Sequence, residues 1–178
     1  DLTGARTGAI FHGSFSATAS RFGIEGLLQR WLLAPGESLD GRGRGIRSLG
    51  AYFSMVSYVG LAYLLNFSMM RIDEAWSLRA DCLEIERDER FGPIYLFRGP
   101  TTKTIQDGDA RWVTSPSSHV AVEAMSCVAR LRMIAGDADP DVPTTPEDVR
   151  NPYLIVRTYE PWNRAHSRDI PMDIRPQY

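Results

Sequence analysis

The chain has 178 residues and a mass of 19.9 kDa, a size typical of one domain with at most a tail. Its composition, with 43% hydrophobic and 24% charged residues, is that of a globular protein and excludes a wholly disordered chain. The net charge is -2, so the chain lacks the global basicity of many small nucleic-acid binders, and any DNA contact must come from local patches.

The basic residues are almost all arginine, and Lys103 is the single lysine among 20 Lys and Arg residues. Cys82 and Cys127 have no CxxC spacing, so they predict neither a disulfide framework nor a zinc site and indicate a reducing compartment. The chain begins Asp-Leu-Thr without a signal-peptide pattern. We therefore expect a cytoplasmic fragment of a longer protein.

The N-terminal region predicts one helix followed by a glycine-rich loop. Residues 17–33 have apolar side chains near helical spacing and end at Ala-Pro-Gly. The loop over residues 36–50 contains Arg42, Arg44 and Arg47 among glycines. This loop is either a solvated connector or a phosphate-contacting segment, because glycines let a backbone approach a duplex while guanidinium groups pair with phosphate oxygens.

Residues 49–70 contain no charged side chain, a length that could cross a bilayer. Hydroxyl, amide and glycine residues are spread along this stretch, which favours a core helix from about Ile46 to Phe67 and no membrane span. We also expect the aromatic residues of this half of the chain to lie in the core: Trp31, Tyr52, Phe53, Tyr58 and Tyr63.

The second half predicts a short helix, a small sheet and a longer helix. Asp73 is a plausible N-cap for the short helix. The runs 82–86 and 94–97, separated by a charged turn with Gly92-Pro93, predict a hairpin, and residues 110–114 predict a third strand. A helix over 119–135 follows, capped by Ser117 or Ser118, with one stripe formed by Val120, Ala124, Val128 and Leu131.

Residues 137–148 are acidic and proline-rich, and prolines interrupt the rest of the chain. These patterns predict a mainly α domain over residues 1–136 with a small three-stranded antiparallel β-sheet. Residues 137–178 are predicted to form a linker and an extended C-terminal segment.

Two segments of the predicted domain carry a family resemblance. MMRIDEAWSLRADCL resembles the first arginine box of the tyrosine recombinases, the phage-integrase class, whose pattern is an apolar helix ending in Gly-Leu-Arg-(Ile/Val)-Ser-Glu-Leu. IYLFRGPTTKTIQDGDARWVTSP resembles the β-hairpin of that family, which has a lysine in its turn. The resemblance covers residues 46–135, and Met69 and Met70 stand where the family usually has Gly and Leu.

The resemblance implies a tyrosine-recombinase catalytic-domain fold and a set of site residues. Arg71 takes the place of the first catalytic arginine and Lys103 that of the hairpin lysine, while Glu74 and the adjacent Asp73 support the site. In this class a tyrosine hydroxyl attacks a DNA phosphodiester, which forms a 3′-phosphotyrosyl link without a metal or cofactor. A guanidinium suits the phosphate clamp, and a lysine can yield the proton that the leaving 5′-oxygen needs, which an arginine cannot.

The rest of the family's site has no match before residue 178. His166 and Arg168 are one residue short of the His-x-x-Arg spacing, and Tyr178 has no helical context. We therefore expect a recombinase fragment that is inactive alone, whose parent acts as a multimer on double-stranded DNA in the nucleoid. Two alternatives remain open: a catalytically inactive DNA-binding relative with the same fold, and a helical protein-interaction domain.

Overall fold

The computed structural model describes residues 14–40, 44–101, 107–137 and 145–156. These residues form six helices and one three-stranded antiparallel sheet of order β1-β2-β3. The predicted combination of helices with a small antiparallel sheet is therefore confirmed. The elements are α1 (Phe15–Arg21), α2 (Glu25–Leu32), α3 (Arg44–Ser68), α4 (Ile72–Trp76), β1 (Leu83–Asp88), β2 (Gly92–Thr101), β3 (Asp107–Thr114), α5 (Ser118–Asp137) and α6 (Pro146–Arg150).

The chain divides into two compact units after Met55, and the first unit contains α1, α2 and the start of α3. The Ser14 hydroxyl caps α1 by accepting from the Ala17 N–H at 3.2 Å. The single helix predicted over residues 17–33 is wrong, because Gly23 adopts φ +68° and separates α1 from α2. That left-handed conformation ends a helix and costs glycine little.

Asp40 connects the loop after α2 back to the first turn of α1. Its Oδ1 accepts from the Ser16 N–H at 2.9 Å, and its Oδ2 accepts from the Ser16 hydroxyl. These hydrogen bonds favour the ionised carboxylate and lower the pKa of Asp40. The loop and α1 are therefore held together by a charge-assisted contact between residues distant in sequence.

The second unit has one main core between α3, α4, the inner face of the sheet, α5 and the strip at residues 154–155. The strands supply the inner face in register, with Leu83 opposite Phe97 and Phe97 opposite Trp112. The β2–β3 register shifts by one residue between Gly99 and Thr101. The largest fully buried side chains include Phe97, Leu64, Leu78 and Met125.

α5 buries a different face from the predicted stripe. Of the four predicted stripe residues only Val128 is buried, and Val120, Ala124 and Leu131 are exposed. The buried face instead contains Val122, Met125, Ala129 and Met133. Apolar residues occur around most of this helix, so the helical period alone does not determine which side faces the core.

The described part of the predicted linker belongs to the second unit and contributes to its core. The Leu154 N–H donates to the Leu78 carbonyl at 2.9 Å, and the Ala80 N–H donates to the Pro152 carbonyl at 2.9 Å. The Arg79 guanidinium lies 4.2 Å from the centre of the Tyr153 ring. Because Leu154, Ile155 and Val156 are buried, this apolar triplet keeps residues 152–156 in the core, whereas the sequence placed a boundary after residue 136.

The apolar helix α3 is only partly covered. The segment Arg47–Ser68 is long and apolar enough to cross a membrane by length and composition, and 28% of its most apolar window is buried. One such helix is weak evidence for a span, because core helices of soluble proteins meet the same criterion. Trp31 and Tyr58 are exposed, so their expected core positions are wrong, while Tyr52, Phe53 and Tyr63 are half-buried.

Candidate functional site

Arg71 lies in the tight connection between α3 and α4. α3 ends at Ser68, Met69 adopts a left-handed φ of 55°, and the Met70 side chain is buried in the core. Arg71 follows as the N-cap of α4, and its side chain is 48% exposed. The turn is therefore anchored by a buried side chain directly before Arg71, while the guanidinium itself faces solvent.

Glu74 holds this turn from inside α4. The Arg71 N–H donates to Glu74 Oε2 at 2.7 Å, which is one half of a capping box. The Arg71 guanidinium Nη1 lies 3.9 Å from Glu74 Oε1. Asp73, predicted as the N-cap, is wrong in that role: it is the second residue of α4 and is exposed. The cap lies two residues earlier because Glu74, at the third helical position, can reach back to the Arg71 N–H.

Thr101 at the end of β2 contacts the same carboxylate. Its hydroxyl donates to Glu74 Oε1 at 2.7 Å, and the Glu74 side chain is only 11% exposed. Glu74 thus accepts from the Arg71 turn with one oxygen and from the sheet with the other. Sequence reasoning missed Thr101, and the available signal was its place in the polar segment that follows the predicted strand over 94–97.

Several predicted site residues lie outside the described residues: Lys103, Arg42, His166, Arg168 and Tyr178. Arg44 begins α3 and the exposed Arg47 lies in its first turn, so both belong to a helix instead of the predicted loop. A Cβ at the buried Gly45 would lie 2.4 Å from the Leu39 carbonyl oxygen. This glycine therefore permits close packing inside the first unit.

The outer face of the sheet carries two arginines that are neutralised by neighbouring carboxylates. Arg98 and Arg111 stand opposite each other on β2 and β3. Arg98 binds Asp109 and also binds Glu84 at 3.0 Å, and these hydrogen bonds raise the pKa of its guanidinium. Arg111 binds Glu86 and lies 3.8 Å from Asp109. Two cations face three anions here, so the described part of this face carries no excess of positive charge.

The arrangement around Arg71 suits the binding of an anion. The guanidinium is permanently charged, half exposed and attached to a backbone that Met70 and Glu74 fix. Among residues 14–40, 44–101, 107–137 and 145–156, no three His, Cys, Asp or Glu side chains lie close enough together to hold a metal ion. An exposed arginine in this setting can pair with two oxygens of one phosphate group.

Comparisons with known proteins add no relative to this description. No family model, no curated protein and no solved structure matches the chain.

Proposed function

We propose that the chain is part of a tyrosine-type site-specific DNA recombinase, with a catalytic-domain fold of that class. Arg71 clamps the scissile phosphate, and Lys103 protonates the 5′-oxygen that leaves. The observation that carries this proposal is the shared carboxylate of Glu74, which accepts from the Arg71 N–H and from the Thr101 hydroxyl, both at 2.7 Å. The end of the strand that leads to Lys103 is thereby held against the Arg71 turn.

Chain connectivity supports the pairing of Arg71 with Lys103. Lys103 follows Thr101 by two residues, and two residues of extended chain span at most about 7 Å. The proposal takes this short connection to keep Lys103 within reach of a phosphate bound by Arg71. Two cations of different chemistry on one phosphate are what the proposed reaction requires.

In the proposed reaction Arg71 stabilises negative charge and Lys103 supplies a proton. The phosphorane transition state carries extra negative charge on its non-bridging oxygens, and the guanidinium of Arg71 binds them in a fixed fork. The leaving 5′-oxygen needs a proton, which an ammonium can donate once burial and cationic neighbours lower its pKa. Glu74 and Asp73 support the turn, and Arg42, Arg44 and Arg47 supply further phosphate contacts.

The nucleophilic tyrosine and the second arginine box have no match in this chain, so the proposal assigns them to other parts of the full-length protein. That protein acts as a multimer on double-stranded DNA, in the cytoplasm at the nucleoid, without a metal or cofactor. The covalent phosphotyrosyl link conserves the bond energy for religation, which removes the need for an energy-rich cofactor.

The test is covalent capture by the full-length protein on a nicked suicide substrate, in which the cleaved strand diffuses away. Arg71→Ala is expected to lower the capture rate by about 100- to 1,000-fold, the usual cost of one preorganised donor, while duplex affinity changes little. Arg98→Ala is the matched control, because that arginine lies on the outer face of the sheet and is bound by two carboxylates, those of Glu84 and Asp109. Unchanged capture by Arg71→Ala, or no capture by the wild-type protein, would refute the proposal.

A second function, a helical protein-interaction domain, is favoured by the exposed apolar side chains of α2 and α3. These include Leu27, Trp31, Met55, Tyr58 and Val59. In this case Arg71 and Lys103 are ordinary surface charges. Filter binding of duplex DNA over a salt series separates the two functions, because phosphate contacts give a steep decrease of log affinity with log salt concentration. Absent or salt-independent binding would favour the interaction domain.

A further inference from the structure

The end of β2 is docked onto the segment that carries Arg71 at two points. Gly99 lies against the buried Leu78 side chain, and a Cβ there would be 2.8 Å from Leu78 Cδ2. Two residues later the Thr101 hydroxyl donates to Glu74 Oε1. The first contact is apolar packing without directional preference, whereas the second is a directional hydrogen bond to a charged group, which is the stronger kind.

The hydroxyl contact lies where the backbone pairing of the hairpin changes register. Gly99 pairs with Ala110, but Thr101 pairs with Asp107, so the register shifts by one residue between them. The intervening Pro100 has no N–H to donate to the ladder. Such irregularities change the direction of a strand. The orientation of the hairpin end therefore depends on contacts other than the β2–β3 backbone hydrogen bonds.

Glu74 is itself fixed at the other side of this contact. Its Oε2 accepts from the Arg71 N–H at 2.7 Å, and its side chain is mostly buried. If the hairpin moves, the Glu74 carboxylate can follow it only by breaking the cap of α4. Because Glu74 is fixed, any movement of Thr101 away from Glu74 changes the distance between the end of β2 and the Arg71 turn.

We infer that Thr101 is a positioning residue, which acts through Glu74 to hold the β2–β3 hairpin in a fixed position relative to the Arg71 turn. This inference rests on the proposed function and names the contact that holds the described end of β2 beside the Arg71 turn. Thr101 itself neither touches the phosphate nor transfers a proton. A small misplacement of a reacting group lowers the rate of a reaction far more than it lowers substrate affinity.

The experiment uses the full-length protein with Thr101→Val, which keeps the shape and removes the donor, and Thr101→Ser, which keeps the donor. Thr101→Val is expected to lower the rate of covalent capture by about 10- to 100-fold at unchanged duplex affinity. Thr101→Ser is expected to restore the rate to within a few-fold of wild type. Thr114→Val removes a hydroxyl that bonds Ser118 at the other end of β3, and is the matched control.

Amide hydrogen exchange provides a readout that does not depend on recombination. Thr101→Val should accelerate exchange at the described residues of the hairpin end, Thr101 and residues 107–109, and leave Leu96 and Phe97 protected. Unchanged exchange, or a failure of Thr101→Ser to restore capture, would overturn the inference even if Arg71→Ala abolishes capture. A wild-type protein without covalent capture would refute the proposed function and the positioning role with it, and accelerated exchange would then show the Thr101 contact to be structural alone.

Discussion

Gly99 on β2 packs directly against Leu78, leaving no space for a side chain at position 99. A Cβ built there would be 2.8 Å from Leu78 Cδ2, and Leu78 is fully buried and cannot turn away freely. We expect Gly99→Ala to lower the free energy of unfolding by about 1–3 kcal/mol, as overpacked core substitutions do. The measurement is urea unfolding followed by circular dichroism.

Gly108 on β3 is the matched control for this substitution, because nothing lies within 4 Å of a Cβ built there. Gly108→Ala should change the free energy of unfolding by less than about 0.5 kcal/mol or raise it slightly. Equal stability of Gly99→Ala and Gly108→Ala would contradict the close approach of β2 to Leu78.

The backbone of Met69 is strained, and replacement by glycine relieves the strain. Its φ of 55° is the left-handed conformation, which costs a residue with a Cβ roughly 1–2 kcal/mol, and its side chain is exposed. Met69→Gly should therefore raise the free energy of unfolding by about 0.5–1 kcal/mol, after the entropy of the more flexible unfolded chain is subtracted.

Met55 is an exposed methionine inside α3 and tests the same substitution in a helical backbone. Met55→Gly should be destabilising by about 1 kcal/mol, because glycine is a poor helix former. Thermal unfolding of the two variants side by side gives the comparison. A loss of stability in both variants would show that position 69 is not left-handed.

The two cysteines should differ sharply in reactivity. Cys82 is buried, and desolvation raises the pKa of its thiol to about 12, with a further contribution from the nearby Asp81 carboxylate. Cys127 is exposed on α5. Because the thiolate is the reactive species, we expect iodoacetamide at pH 8 to modify Cys127 quickly and Cys82 only after unfolding. Mass spectrometry of tryptic peptides distinguishes the two cysteines. Equal rates of modification would contradict the burial of Cys82.

Asp40 should make the stability of the first unit depend on acid pH. Its folded pKa is below the unfolded value of about 3.9, so its contribution is present above that value and is lost as the pH falls through the folded pKa. Asp40→Asn should lower stability at pH 7 and flatten the decrease between neutral and strongly acid pH. Ser16→Ala should have a smaller effect, because it removes the hydroxyl donor and keeps the Ser16 N–H donor.

Thermal unfolding of the three proteins at pH values from 2 to 7 measures these differences. Identical pH profiles for Asp40→Asn and the wild-type protein would show that the carboxylate does not hold α1.

The sheet was predictable because its signals are local. Runs of β-branched and aromatic residues located β1 and β2. The predicted turn at Gly92-Pro93 is wrong, because both residues belong to β2 and pair with Asp88 and Arg87 of β1. β1 ends two residues later than predicted, β2 is longer at both ends and β3 begins three residues earlier, since pairing and not composition determines where a strand ends. The break at Gly23 was missed because apolar spacing continues across it and only the backbone conformation ends α1.

Only the part of the candidate site that lies within one helical turn of Arg71 was predictable from the sequence. Arg71 and Glu74 are three residues apart, a spacing that brings side chains together at the start of any helix. Thr101 is 27 residues further along, and its contact with Glu74 depends on how β2 docks beside α4, which no local pattern specifies. The exposure of one face of α3 was not predicted for the same reason, because the burial of a helix face depends on which other elements pack against it.

The most direct test of the central claim replaces the leaving 5′-oxygen of the scissile phosphate with sulfur. A thiol is a far stronger acid than an alcohol, with a pKa of about 8.5 for a cysteine side chain, so a thiolate departs without a proton donor. On the oxygen substrate, Lys103→Arg in the full-length protein should cleave poorly, because its charge is kept and its transferable proton is lost.

On the sulfur substrate, Lys103→Arg should cleave at close to the wild-type rate, whereas Arg71→Ala should remain defective because the phosphate oxygens still lack their clamp. Failure of sulfur to rescue Lys103→Arg, or equal rescue of both variants, would contradict the assignment of the proton to Lys103 and of the charge to Arg71.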